Sequence, residues 1–144
     1  GPREPPVDRS RRPTQPSSVP DLTVHVDGLT FDADWVTENE ATRAAVADAL
    51  PVEDDAARWG EELYASVGVS ASPETTGAEV EPGAIAYWPF GPGVCLFWGP
   101  TPASRGDEPR AATPVGVVAQ VRDVSALSEI PPGGARLRIE SNED

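Results

Sequence analysis

The sequence predicts a mainly β protein: a small closed β-barrel with one main α-helix and a short helical turn. Short runs of β-branched and aromatic residues, separated by turns rich in Gly and Pro, recur along the chain, as the strands of a small sheet do. One stretch alone, after Val36, has the spacing of a capped helix. Because closure removes exposed sheet edges, we expect so many short strands to form a barrel.

The amino-acid composition limits the partners that the chain can bind. The chain has 144 residues and a net charge of −13, and all eleven of its basic residues are arginine. This length predicts one domain, and this charge repels phosphates, so we expect no nucleic-acid partner. Acidic chains without lysine are typical of multimolar salt, which predicts the cytoplasm of a haloarchaeal cell; a GC-rich genome is the alternative explanation. No apolar run approaches the roughly 20 residues that span a bilayer, so we expect no membrane contact by the domain.

Residues 1–20 differ from the rest in composition. They contain six prolines and four arginines, and Gly1-Pro2 resembles the scar of a cleaved fusion tag. Such a segment buries little apolar surface, so we predict a disordered tail. The alternative is a basic arm that docks on an acidic partner or on the acidic surface of this chain. The domain is then expected at residues 21–140, followed by a solvated tail at 141–144.

The first predicted strands form a hairpin. Residues 21–27 alternate apolar and polar side chains, Asp27-Gly28 is a turn signal, and residues 29–32 form the returning strand. His25, the only histidine, falls on the polar face. We expect it to be a solvated residue and not a catalytic base, because no acid or nucleophile is spaced to it.

A helix is predicted over residues 38–50. Thr37 and Glu40 have the spacing of a capping box, and Pro51 ends the helix. Its buried face is predicted to be a stripe of small residues with one leucine: Ala41, Ala44, Ala45 and Leu50.

Residues 57–67 are predicted to form one strand, with Glu61 on its apolar face. An ionised carboxylate on such a face must be paired or reach an opening, so Glu61 is the acid that the sequence singles out. The alternative is a carboxylate at a strand end that backbone amides or Arg58 satisfy. The other residues predicted on that face are Trp59, Leu63, Ala65 and Val67.

The stretch 83–104 holds five of the nine aromatic residues and the only cysteine, Cys95. Two apolar runs, 84–88 and 94–98, predict two buried strands around a turn. Polar loops are expected at 68–82 and 105–113, and a strand at 115–121, a helical turn at 124–130 and a strand at 135–140 complete the chain. Cys95 lies among apolar neighbours, so we expect an inert thiol with a raised pKa.

The aromatic residues also suggest a function. A shallow groove lined by aromatic side chains suits a peptide or a small apolar molecule. The alternative is that most of them fill the core, and that Trp88 and Phe90, which flank the turn, are the exposed exceptions. No catalytic residue, metal site or cofactor is predicted. The candidate binding residues are Trp59, Glu61, Tyr87, Trp88, Phe90 and Trp98, with Phe97 beside them.

Three blocks carry a resemblance to a known family: RWGEELY at 58–64, GAIAYWP at 83–89 and CLFWGPTP at 95–102. Together with the strand at 114–121 they resemble, in order and spacing, the small cyclophilin-like proteins of archaea and bacteria typified by a Thermotoga protein of unknown function. The resemblance covers roughly residues 21–140. It implies a compact cyclophilin-type barrel with a helix packed at an open end. Ala84 departs from the family pattern, which has an aspartate there.

A shared fold does not deliver an activity. True cyclophilins isomerise X–Pro bonds with an arginine presented among aromatic residues and a glutamine, and no stretch of this chain resembles that segment. Arg58 is the arginine nearest to an aromatic residue, but a regular strand would point it away from Trp59. The sequence therefore predicts a cyclophilin-like binding domain, for a peptide, a protein partner or a small molecule, without isomerase activity. Weak prolyl isomerisation and a scaffold domain tethered by its N-terminal arm are the alternatives.

Overall fold

A computed structural model describes residues 19–142. The predicted N-terminal tail thus lies, up to residue 18, outside the described residues, as do residues 143 and 144 at the other end. The strands are β1 (Leu22–Val26), β2 (Leu29–Trp35), β3 (Val52–Arg58), β4 (Glu62–Ser66), β5 (Gly77–Glu79), β6 (Ala84–Trp88), β7 (Gly93–Phe97), β8 (Arg110–Val121) and β9 (Ala135–Ser141). The α-helix is α1 (Glu40–Ala49), and a 3-10 helix spans Val124–Glu129.

All of these strands except β5 are hydrogen-bonded into a closed ring. Its order is β2-β1-β9-β3-β4-β7-β6-β8, and β8 pairs back onto β2. The closing pair is antiparallel, with Ala33 opposite Val121 and Trp35 opposite Ala119. The prediction of a mainly β fold with one main helix and a short helical turn, whose sheet closes on itself, is confirmed.

The ring encloses the main core. In β1 the apolar residues Leu22, Val24 and Val26 are buried, as their alternation predicts. The helices contribute too, because Val46 of α1 and Leu127 of the 3-10 helix belong to the same apolar cluster. The core is therefore built from one face of every ring strand and covered by two helical segments.

Strand β8 is longer than the ring requires and serves two layers. Its residues 116–121 pair with β6 in the ring, whereas residues 110–115 run on and pair with β5. This first half of β8 packs against the sheet face opposite to the main core, where it buries a second apolar cluster. The members of that cluster are Val80, Ala84, Ala86, Cys95, Phe97, Ala111 and Val115.

The helix prediction was wrong at its start and on its buried face. Helix α1 begins at Glu40, with Asn39 as N-cap in the left-handed conformation (φ 55°), and the side chain of Asn39 does not cap it. The side chain of Asn39 instead donates to the carbonyl of Val117 at 3.0 Å and accepts from the amide of Thr75 at 2.7 Å. These tertiary bonds replace the predicted capping box.

The buried face of α1 also differs from the predicted stripe. Thr42 and Val46 are buried, whereas Ala41 and Ala44 of the predicted stripe are exposed. Ala45 and Leu50 pack, partly buried, against the core as predicted.

Two predicted loops contain strand residues. Strand β5 lies within 68–82, and β8 begins at Arg110, inside the predicted loop 105–113. The pattern misses them because β5 has three residues and the first half of β8 contains Pro114, which a central strand excludes. The predicted C-terminal tail also starts too early, since β9 ends at Ser141 and the amide of Asn142 donates to the carbonyl of Asp21 at 3.0 Å.

The predicted strand 57–67 is two strands joined by a tight turn. Gly60 (φ 65°) reverses the chain between β3 and β4. A Cβ at Gly60 would lie 2.7 Å from the Cα of Thr101, and the amide of Glu61 donates to the carbonyl of Pro100 at 2.9 Å. The turn is thus fixed against the segment that follows β7.

We predict that Gly60→Ala lowers the free energy of unfolding by at least about 2 kcal/mol, because the positive φ and the contact with Thr101 both exclude a side chain. Gly28→Ala is the matched control, since its Cβ would have no heavy atom within 4 Å. We expect that control to change stability by less than about 0.5 kcal/mol. Denaturant unfolding of both variants measures the difference, and equal stabilities would contradict this account of the turn.

Candidate functional site

A cavity of about 250 Å³ lies on the sheet face opposite to the main core. Its walls come from β4, β6 and β7 and from the first half of β8, together with the turn that precedes β4. The cavity is lined by Trp59, Glu62, Tyr64, Trp88, Cys95, Ala111, Ala112 and Val115. We call this the aromatic cavity.

Strand register brings the lining residues together. Tyr64 of β4 pairs with Cys95 of β7, and Cys95 pairs in turn with Ala86 of β6. Successive side chains of a strand point to opposite faces. Because Leu63 belongs to the main core, its neighbours Glu62 and Tyr64 point the other way, into the aromatic cavity.

Two aromatic rings are held in a defined arrangement. The ring centroids of Tyr64 and Trp88 are 5.8 Å apart and the ring planes meet at 80°, which is the edge-to-face geometry that aromatic pairs favour. The indole Nε1 of Trp88 donates to the Oγ1 of Thr113 at 2.7 Å. That bond ties the Trp88 ring to the first half of β8, while Tyr64 stands at the rim, 36% exposed.

Glu62 is the acidic side chain that lies deepest in residues 19–142, at 5% exposure. The thiol of Cys95 is the side chain that hydrogen-bonds its carboxyl group. Burial raises the pKa of Glu62 from 4.5 to about 7, and the hydrogen bond from Cys95 opposes that rise. The carboxyl group therefore changes charge near neutral pH.

The thiol of Cys95 is buried beside this carboxyl group. Burial raises the pKa of Cys95 well above its usual value, and the charge of Glu62 and its hydrogen bond raise it further. The predicted raised pKa is thus confirmed. A protonated thiol is a poor nucleophile, so Cys95 serves here as a wall residue and a weak donor to Glu62.

The structure separates the predicted binding residues. Trp59 and Trp88 line the aromatic cavity. Phe90 is 72% exposed in the turn between β6 and β7, outside it. Trp88, expected to be exposed with Phe90, is half-buried.

The other predicted aromatic residues are buried. Tyr87 is packed in the main core, where its hydroxyl donates to the carbonyl of Val69 at 2.7 Å. Trp98 is buried there as well, and Phe97 is buried in the second cluster. These three residues therefore fill the core, which is the alternative that the sequence leaves open for them.

Glu61, the acid that the sequence singled out, does not line the aromatic cavity. Its Oε2 lies 3.1 Å from the Nη2 of Arg58 and its side chain is 41% exposed. The alternative of a carboxylate satisfied by Arg58 is therefore what the structure shows. The turn at Gly60 gives the buried position to Glu62 instead. One signal pointed to it: the alternation of Leu63, Ala65 and Val67 puts Glu62 beside Tyr64 on the opposite face.

Arg58 lies outside the aromatic cavity. Its guanidinium carbon lies 4.9 Å from the ring centroid of Trp98, and it donates to the carbonyls of Gly60 and Pro131 as well as to Glu61. No arginine of the described residues lines the aromatic cavity.

His25 is likewise engaged elsewhere. Its Nε2 is 2.7 Å from the Oε2 of Glu140 on the neighbouring strand β9. Among residues 19–142, no three His, Cys, Asp or Glu side chains are grouped to hold a metal ion. In the same part of the chain, neither helix has the length and apolar character needed to cross a bilayer.

A second groove, of about 540 Å³, lies between the start of α1, β5 and β8. Three of its polar side chains are bonded within the fold, since Asn39 bridges Thr75 and Val117, Gln120 donates to the carbonyl of Pro82 at 2.7 Å, and Glu79 pairs with Arg110. Its other two acids, Glu38 and Glu81, are exposed. The aromatic cavity, where the acid without a cationic partner is buried, is the stronger candidate site.

Comparison with known proteins supports the fold. The pattern of the family described as Cyclophilin-like matches residues 21–140. The solution structure of a hypothetical protein from Archaeoglobus fulgidus is similar, with a TM-score of 0.70 and 29% identity over 89% of this chain and 98% of that one. No curated protein sequence matches the chain. The resemblance predicted from the three sequence blocks is confirmed.

We predict that Glu62→Gln removes a fall in stability that the unchanged protein shows between about pH 4.5 and 7. The carboxyl pKa is raised in the folded state, so the folded protein binds more protons there and its stability decreases as the pH rises. The full shift corresponds to about 3 kcal/mol. Above about pH 7 the variant should therefore be the more stable protein.

Urea unfolding across this pH range measures the effect, with Glu81→Gln as the control because Glu81 is exposed. The control removes one carboxylate without removing a buried one, so its stability curve should stay parallel to that of the unchanged protein. Parallel curves for Glu62→Gln as well would contradict the assigned burial of Glu62.

Proposed function

Because this chain belongs to the cyclophilin-like family, whose fold alone fixes no activity, we propose its function from its cavity: it is a binding domain that holds a small, largely apolar molecule. The observation that carries this proposal is the aromatic cavity itself. Its rings of Trp59, Tyr64 and Trp88 surround one buried carboxyl group, Glu62. Ligand sites are typically apolar concavities with a few polar groups that fix orientation.

Size restricts the ligand. A protein cavity of about 150 Å³ is large enough to bind benzene, which has six non-hydrogen atoms. By that standard the cavity of about 250 Å³ has room for a molecule of roughly ten non-hydrogen atoms, or for a single side chain of a peptide. Tyr64 at the rim leaves the opening that a peptide side chain would need.

Prolyl isomerisation has less support. An arginine among aromatic residues is what that chemistry uses in true cyclophilins, and Arg58 is held by Glu61 and two carbonyl groups outside the cavity. We predict no acceleration of isomerisation of a proline peptide at low or multimolar KCl, against heat-inactivated protein. Acceleration in proportion to the amount of folded protein would reverse this conclusion.

The proposed setting is the cytoplasm of a haloarchaeal cell. The net charge of −13 without lysine supports it, since dense carboxylates keep a protein soluble in high salt. For the same reason binding is best measured at both low and multimolar KCl.

The binding proposal is tested by NMR titration of the full chain with three small probes: phenol, 3,3-dimethylbutan-1-ol and choline. We expect at least one probe to shift the amide signals of Glu62, Tyr64, Trp88 and Cys95 more than those of exposed residues. Tyr64→Leu should weaken that binding, because it removes an aromatic wall. Ser66→Ala, which changes an exposed residue of the same strand, should leave it unchanged. A folded protein that none of the three probes perturbs at these four residues would overturn the proposal.

A further inference from the structure

The carboxyl group of Glu62 is the one acid in the described residues that combines deep burial with the absence of a cationic partner. Other acids of the fold are paired: Glu61 with Arg58, Asp34 with Arg122, Glu53 with Arg136 and Arg138, Glu108 with Arg110, and Glu140 with His25 and Arg138. For Glu62, the thiol of Cys95 is the side chain whose hydrogen bond affects the carboxyl pKa, and no cationic side chain of residues 19–142 lines the cavity around it. A buried charge without a partner is costly, so a cation that enters beside Glu62 would relieve that cost.

The walls around Glu62 favour the same kind of ligand. Trp59, Tyr64 and Trp88 line the cavity, and the faces of aromatic rings attract cations, most strongly where water is excluded. The 80° angle between Tyr64 and Trp88 gives two walls of different orientation. No basic side chain of the described residues lines the cavity to repel a cation.

The walls of the cavity favour one ammonium class over another. A primary ammonium group has three N–H donors that must be satisfied when it is buried. Among the lining side chains the good acceptors are the Glu62 carboxylate and, at the rim, the Tyr64 hydroxyl, because both indole N–H groups are donors only. A trimethylammonium group has no N–H to satisfy, and its methyl groups suit apolar walls.

We propose that the ligand of the aromatic cavity is a small organic cation with a trimethylammonium or similar quaternary group, which Glu62 neutralises and the rings of Trp59, Tyr64 and Trp88 surround. This inference rests on the proposed binding function and names the class of molecule that is bound. Choline has seven non-hydrogen atoms, within the roughly ten that the cavity volume admits.

Such binding depends on pH in a defined direction. The titratable groups of the cavity wall are Glu62 and Tyr64 of β4 and Cys95 of β7, while β6 and β8 contribute none. Of the nearby charges, Arg58 is held by Glu61 and Arg110 by Glu79 and Glu108. Without ligand, Glu62 has a pKa of about 7. A cation binds the ionised form, so affinity should fall about tenfold per pH unit below about pH 7 and level off above it.

The test compares two probes of the same shape, choline and its neutral carbon isostere 3,3-dimethylbutan-1-ol. Affinities are measured by NMR titration of the full chain between about pH 5.5 and 8.5 at constant ionic strength, a range that brackets the titration of Glu62. At the upper end we expect choline to bind at least about tenfold more tightly than the isostere. The affinity for the isostere should not increase with pH, because a neutral probe is not attracted by the ionised carboxylate of Glu62.

Two variants test which side chains cause the preference for choline over the isostere. Glu62→Gln should remove both the choline preference and its pH dependence, whereas Glu81→Gln, at an exposed carboxylate, should retain them. Tyr64→Leu keeps an apolar rim but removes a ring face, so it should weaken choline more than the isostere. Chemical shifts of the main core show that each variant is folded.

The outcomes separate the two proposals. Preference for choline that Glu62→Gln abolishes supports a cation site. Equal affinity for both probes at every pH retains a binding function and overturns the cation inference. Binding of neither probe, nor of phenol, by folded protein overturns both.

Discussion

The antiparallel pairing of β8 with β2 closes the ring, and the rest of the structure depends on it. Residues 116–121 of β8 complete the ring, so residues 110–115 must continue beyond it, where they pair with β5. This continuation buries a second face of β6 and β7. A ring strand of ordinary length would leave that face exposed, and the aromatic cavity would have no wall on the side of Thr113.

The cover over the second sheet face has two effects on the cavity. Covering the second face excludes water from Glu62, which disfavours its ionised form and raises its pKa to about 7. The same cover holds Trp88, which lines the cavity with Glu62, in place through Thr113. The domain thus retains a destabilising group at one place while its other described acids lie among arginines or in solvent. Perturbed acids in concave sites are typical of function.

Much of the fold follows from local pattern, but the site does not. The alternation of Leu22, Val24 and Val26 predicts β1, and the apolar runs around the turn predict β6 and β7. The position of Glu62 depends on Gly60, whose turn is fixed by Pro100 and Thr101, forty residues further along the chain. The sequence alone does not show that contact, so a continuous alternation through the turn selected Glu61.

The same limit applies to the cover of the cavity. The segment 110–115 is read as a loop because its alanines and Pro114 give no strand signal, and its burial of Cys95 and Ala86 is a tertiary effect. Of the aromatic residues that the sequence proposes for binding, Trp59 and Trp88 line the cavity. Tyr64 is not among the predicted site residues, because the sequence pattern places it on the face opposite to the apolar one.

The most direct test of the account is an NMR titration of the carboxyl carbon of Glu62 in the ligand-free full chain. A buried acid without a cationic partner should titrate near pH 7, together with a perturbation of the neighbouring Cys95 signals. A midpoint at the ordinary value of 4.5 would mean that water or a cationic group reaches the carboxylate. The aromatic cavity would then not shield Glu62 from water in the way that both proposals require.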